Sequence, residues 1–244
     1  MSERSPSEFY TDLVADLYRP LKSSSYPADP YREMIRRLGE PALELGCGDG
    51  DPLLDLVASG LDVDGIDSSP DMIERLRRRA AERNLTVHAW VADMRTLSLP
   101  RRYATVFLAG PTFNLLPDDE AMAEALTGIA SGLADGGTAV VPLFVPEPIG
   151  PDGLDIPTRA STPMGSISWR IVTAARDEDA RTQTLRLRYQ RDESGATETL
   201  EREWITHWIG LARFTELAGA AGLTASCAAD EIGSEPEDVV LRAR

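Results

Sequence analysis

Apolar residues recur with two different periods along this chain, and the change of period divides it. Between Phe9 and Leu21, the positions Tyr10, Leu13, Val14, Leu17, Tyr18 and Leu21 fall on one helical stripe, spaced i, i+3, i+4, i+7, i+8 and i+11. Serines and two prolines interrupt the pattern at 23–30, and a short helix is predicted over 31–38. From Pro41 onward, short apolar runs alternate with helical ones. Strands are predicted at 42–45, 61–66, 86–91, 104–109 and 138–145, with helices at 52–59, 71–83 and 120–133. Ser69-Pro70 starts the second of these helices with proline in its favoured first position. Such alternation calls for a parallel sheet with helices on both faces, an α/β doubly wound architecture.

The style changes after Pro146. Residues 146–165 are rich in proline and glycine and read as a long loop. Ile167, Trp169 and Ile171 then alternate with polar residues, as do Leu185, Leu187 and Tyr189, and a third extended run at 198–209 contains Trp204 and Trp208. These are the marks of half-buried antiparallel strands, an insertion following strand five. Between 170 and 203, seven basic and eight acidic residues are interspersed, which fits a solvated sheet face. The apolar face opposite suits a pocket roof or another subunit, and the second use leaves a homodimer open. A helix at 211–221 and strands at 223–227 and 239–242 complete the pattern.

Composition narrows the function classes. The chain has 244 residues, enough for one large domain or one domain with an insertion, and 42% of them are hydrophobic. Asp and Glu number 40 against 25 for Lys and Arg, a net charge of -15 that opposes binding to nucleic acid or anionic membrane surfaces. No apolar run approaches the roughly 18 residues of a spanning helix, and the opening MSERSPSEFY lacks a signal-peptide pattern, so a cytoplasmic location is expected. Cys47 and Cys227 are too few for a disulfide framework, and two histidines cannot build a His-rich metal centre. His88 falls inside the third predicted strand and is expected to be buried structure.

The segment Leu43-Glu44-Leu45-Gly46-Cys47-Gly48-Asp49-Gly50 sits where the first strand turns into the first helix of the alternating region. Glycine there lets backbone approach a ligand without a clashing side chain. Asp67 ends the next strand, 21 positions after Gly46, and can accept hydrogen bonds from both hydroxyls of a ribose. A dinucleotide fingerprint needs glycine or alanine where this chain has Asp51, and a carboxylate there would repel a pyrophosphate.

The pattern E-x-G-x-G-x-G instead resembles motif I of the class I S-adenosylmethionine-dependent methyltransferases, whose ligand carries no phosphate. Gly65-Ile66-Asp67-Ser68-Ser69-Pro70-Asp71-Met72 is similar to that family's second motif, Ala92-Asp93-Met94 to its third, and Leu133-Ala134-Asp135-Gly136-Gly137 to the turn before its fifth strand. The resemblance implies a Rossmann-like seven-stranded sheet with S-adenosylmethionine at its edge. It implies that Tyr18, Glu44, Gly46, Gly48 and Ala109 lie around the cofactor, that Asp67 holds the ribose with Met72 packed on adenine, and that Asp93 and Met94 read the adenine edge. The antiparallel insertion after strand five further resembles the amino-sugar N-methyltransferases. Those often carry a histidine where this chain has Leu115, and the family's acid at the start of strand four is replaced in Tyr103-Ala104-Thr105-Val106.

Methyl transfer from a sulfonium is an in-line displacement, for which a protein supplies alignment, water exclusion and, when needed, a base. Tyr10 and Tyr18 on the first stripe can form a lid with an aromatic ring facing the sulfonium, or the stripe can simply pack on a sheet. His207, in Trp204-Ile205-Thr206-His207-Trp208, is the candidate base, and Asn114 the candidate that orients an acceptor. Cys47 reads as packing. The expected organisation is an N-terminal helical lid at 1–40, a Rossmann-like core at 41–145, an insertion over the acceptor site at 146–209 and a return to the core at 210–244. The expected activity is methyl transfer to nitrogen or oxygen of a small-molecule acceptor. The alternatives are a non-catalytic S-adenosylmethionine-binding module and a nicotinamide-dependent reductase.

Overall fold

The computed structural model describes residues 10–21, 26–163, 165–227 and 238–244. Strand β1 (Ala42–Leu45) is buried at all four positions, as expected of a strand covered on both faces. It is followed by helix α3 (Leu53–Ala58), β2 (Val63–Asp67), α4 (Pro70–Glu82) and β3 (His88–Val91). Then come β4 (Tyr103–Phe107), α5 (Asp119–Gly132) and β5 (Leu133–Pro142). Ser69 caps α4 by accepting from Met72 N–H, with Pro70 in the first turn, and Asp118 caps α5 through Ala121 N–H. After α6 (Leu211–Ala220), strands β10 (Leu223–Cys227) and β11 (Asp238–Ala243) complete a seven-stranded sheet ordered β10-β11-β5-β4-β1-β2-β3. Pairings among β1 to β5 are parallel, and β11 runs antiparallel to both β5 and β10.

One apolar layer lies under α5 and α6 and includes Leu45, Ile66, Phe113, Leu126 and Phe214. The other lies under α2 (Ala28–Leu38), α3 and α4 and includes Ile35, Leu54, Ile73, Leu76 and Phe107. The strand order reverses between β1 and β4, which opens a crevice beyond their carboxyl ends where ligands of doubly wound sheets bind. The turn leaving β1 carries the glycine loop into that crevice.

A separate four-stranded antiparallel sheet follows β5, with β6 (Thr158–Thr162), β7 (Gly165–Asp177), β8 (Thr182–Glu193) and β9 (Ala196–His207) in sequential order. Its outer face carries the cross-strand pairs Arg186–Glu203 and Arg188–Glu201, which explains the interspersed charges. Its inner face buries Ile167, Leu187 and Tyr189 against Leu13, Val14, Leu17 and Leu21 of α1 (Asp12–Leu21). The first helix therefore packs on the insertion.

Three expectations change. Strand β6 occupies part of the stretch read as a loop, because its sequence TRAST has one small apolar residue and no alternation to read, and backbone pairing with β7 alone defines it. Strand β5 begins at Leu133, which pairs with Tyr103 ahead of a register shift. His88 is exposed, because β3 is an edge strand and its first residue has no layer above it. Phe9 lies outside the described residues.

Candidate active site

A cavity of about 380 Å³ opens between the carboxyl ends of β1 and β4, helix α1 and the inner face of the antiparallel sheet. Its floor is the glycine loop. Gly46 and Gly48 have φ of +73° and +54°, a region that penalises other L-residues, and a Cβ on Gly46 would lie 2.5 Å from Thr112 Cγ2. Thr112 and Leu115 come from the 3₁₀ turn Pro111–Leu115 that follows β4, and both line the cavity. Tyr18, Glu44, Gly46, Gly48 and Ala109 line it as well.

Asp67 stands just behind this floor. Its Oδ2 accepts from Gly48 N–H at 2.9 Å and its Oδ1 from Ser69 N–H at 2.8 Å, so two backbone donors aim the carboxylate and tie it to the loop. Burial raises its pKa above the ordinary value, and those two hydrogen bonds oppose the shift. The Ser69 hydroxyl donates to Tyr10 C=O at 2.8 Å, which brings the start of the first helix over the same turn. Tyr10 and Tyr18 meet edge to face at 5.4 Å, and both line the cavity.

The carboxylates around the loop have partners on both sides. Arg79 of α4 holds Asp51 at 2.8 Å and Asp49 at 3.0 Å, and Arg19 of α1 reaches Asp51 at 3.2 Å. The acids that oppose a pyrophosphate thus also connect α1 to the loop. Cys47 is buried, and its thiol pKa is pushed up by burial first and by Asp67 and Glu44 next, so it stays a packing thiol.

Other expected residues lie away from the cavity lining. Met72 is buried in the first turn of α4, and Met94 packs beside the α5 layer. Asp93 and Met94 follow β3, where Arg95 grips the Asp93 carboxylate through Nε at 3.0 Å and a terminal nitrogen at 2.7 Å. Partial burial raises the Asp93 pKa, but the Arg95 hydrogen bonds outweigh it and the net shift is downward. Asn114 is buried and spends both amide hydrogens on main-chain carbonyls, Phe144 C=O at 2.7 Å and His207 C=O at 2.9 Å.

His207 is placed by strand parity. Trp204 and Thr206 of β9 line the cavity, and the next residue of a strand points to the other face. His207 is 3% exposed, and its Nε2 lies 3.6 Å from Asp119 Oδ1. Asp119 is held in turn by Arg181 at 2.6 Å and Arg213 at 2.9 Å. Burial lowers the imidazole pKa below the ordinary 6.5, helped by Arg181 and opposed by Asp119 and Asp118.

The sign of the resulting pH dependence follows. The unfolded chain takes up a proton near 6.5 while the folded one resists, so neutral His207 contributes stability that is complete above 6.5 and declines as pH falls toward the depressed folded value. Urea midpoints should therefore drop between about pH 7.5 and about pH 5.5, and His207→Gln should flatten that slope. An equal slope in the variant would assign the dependence elsewhere.

Several lining residues carried no readable signal in sequence. Tyr26 precedes Pro27 between α1 and α2, and Phe144 follows β5. An aromatic residue held between serines and a proline was the available hint for Tyr26. Among the described residues, no group of three or more His, Cys, Asp or Glu is arranged to hold a metal ion, and no helix is long and apolar enough to cross a membrane.

Residues 42–137 match the family model described as a methyltransferase domain. The chain as a whole has the class I methyltransferase fold. It superposes on the S-adenosylmethionine-bound amino pentose methyltransferase CalS10 of Micromonospora echinaspora with a TM-score of 0.72 at 19% identity, covering 99% of each chain. The sugar N-methyltransferase KedS8 of a Streptoalloteichus species gives a TM-score of 0.72 at 21% identity, covering 100% of this chain and 99% of that one. In sequence, the chain is 37% identical over 84 residues to the aklanonic acid methyltransferase DauC of Streptomyces sp. (strain C5). That alignment spans 33% of this chain and 38% of the relative's length.

Proposed function

We propose that this protein transfers a methyl group from S-adenosylmethionine to a nitrogen or oxygen of a small-molecule acceptor of secondary metabolism. The observation that carries the reading is the single cavity joining the glycine loop to the antiparallel roof. Its floor suits this cofactor: the left-handed glycines give backbone access, and the Glu44 carboxylate among the lining residues favours a cationic amino acid end. The names of DauC, CalS10 and KedS8 point to small molecules as acceptors, and two of the three to sugars.

When bound, S-adenosylmethionine would supply an activated methyl carbon to the acceptor's lone pair, with S-adenosylhomocysteine as the leaving group and the acceptor's proton passing to solvent. The protein's own residues do the rest. Asp67, fixed by Gly48 and Ser69, offers its remaining lone pairs to the ribose hydroxyls. Asp93 and Met94, which follow β3 outside the described cavity lining, are assigned to the adenine edge, with Arg95 orienting the Asp93 carboxylate. Tyr10 and Tyr18 cover the reacting region and exclude water. Asn114 and His207 act as positioning residues: Asn114 ties the chain leaving β5 to the end of β9, and this keeps Thr206 and Trp204 turned into the cavity. Helix α1 then serves as the lid, while α2, expected to belong to it, packs on the core sheet with 41–145 as the cofactor core, and 146–209 forms the acceptor cover. Mass spectrometry of protein purified without added ligand tests the reading. Retained S-adenosylmethionine or S-adenosylhomocysteine is expected, and retained nicotinamide dinucleotide would overturn it.

A further inference from the structure

The two ends of the cavity differ in chemistry. Its described acids, Glu44, Asp49 and Asp51, all come from β1 and the loop after it, the end assigned to the cofactor. The opposite wall is built by Leu17 of α1, Phe144 beyond β5, Trp169 of β7, Leu187 and Tyr189 of β8 and Trp204 of β9. The polar side chains that join them are neutral hydroxyls, those of Thr112, Thr206, Tyr10, Tyr18 and Tyr26, and no arginine, lysine or histidine is among the described lining residues.

We propose that the acceptor is an apolar ring molecule, an aromatic or fused-ring scaffold carrying the nucleophilic nitrogen or oxygen, and that Trp169, Tyr189 and Trp204 select it. Flat aromatic side chains gain most by covering another ring, through buried area and through offset or edge-on contacts. A phosphate or diphosphate would meet no cation among the described lining residues, so its charge would be buried without a partner. A sugar ring laid on this wall would set its hydroxyls against Leu17, Phe144, Leu187 and the indole faces, where each unmet hydrogen bond costs affinity. Leu115 adds to the same character, since it places carbon beside Thr112 at the junction of the two ends. Phe144 is 40% exposed at the wall, so a scaffold larger than the cavity can continue over an apolar surface.

This inference rests on the methyltransferase reading, and the test separates the two. Wild-type protein is titrated calorimetrically with S-adenosylhomocysteine. The loaded protein is then titrated with 1-naphthol, with D-glucosamine and with uridine diphosphate glucose. The expected result is binding of 1-naphthol alone. Trp204→Ala should weaken it at least about tenfold and Trp204→Phe should restore most of it, with S-adenosylhomocysteine affinity unchanged in both. Should Trp204→Ala fail to fold, Tyr189→Phe and Trp169→Phe keep a ring and should retain binding, whereas Trp169→Ser should lose it. If S-adenosylhomocysteine binds and either sugar probe binds as tightly as 1-naphthol, or 1-naphthol does not bind, the ring proposal is overturned while the cofactor reading stands. If S-adenosylhomocysteine itself does not bind, it is the methyltransferase reading that fails.

Discussion

Asp67→Ala is expected to weaken S-adenosylmethionine binding by about 1.5–3 kcal/mol, roughly 10- to 150-fold in Kd. The proposed reading gives this carboxylate the ribose, and two backbone donors keep it from swinging away. Gly48 N–H and Ser69 N–H each occupy one lone pair on a different oxygen and leave one lone pair on each. Removing it subtracts the ribose bonds and also leaves the Gly48 N–H of the loop without its acceptor, so the loss sits at the upper part of the range. Asp67→Asn retains one acceptor oxygen and should fall between wild type and alanine. Calorimetry on folded variants decides the matter, and unchanged affinity in Asp67→Ala would remove the residue from the site.

Asn114→Ala is expected to lower the unfolding free energy by about 2–4 kcal/mol. Its side-chain nitrogen satisfies two main-chain carbonyls that are far apart in sequence, Phe144 C=O and His207 C=O, within a buried junction. Alanine leaves both acceptors without that donor, and Asn114→Asp should be no better because a carboxylate cannot donate and repels carbonyl oxygens. Urea unfolding reads the loss directly. S-adenosylhomocysteine affinity should change by less than about threefold, since Asn114 is not part of the cavity lining. A variant of full stability would mean that the two carbonyls find other donors.

The contrast between these residues shows what a sequence exposes. Asp67 was legible because it sits at a fixed distance from a glycine turn, and local spacing in a strand–turn–helix unit survives folding intact. Strand β1 was legible to the residue because burial on both faces dictates its composition. Parity was not legible: an alternating run tells which residues share a face, and tertiary packing alone decides which face meets the cavity. Trp204 and Thr206 point in while His207 turns to Asp119 for this reason. Long-range charge pairing was hidden as well. Asp51 looked only repulsive in sequence, yet Arg79 and Arg19, 28 and 32 residues away, pair with it. Strand β6 escaped notice because its order comes from backbone bonds to β7, which leave no trace in side-chain chemistry.

The most direct measurement is a calorimetric titration of the wild-type protein with S-adenosylmethionine and, in parallel, with NADH. The account predicts one S-adenosylmethionine site per chain, weakened by Asp67→Ala, and no heat of binding from NADH. Binding of NADH with S-adenosylmethionine silent would contradict it, because the cavity over Gly46 and Gly48 would then be accepting a pyrophosphate for which its described lining offers no cation.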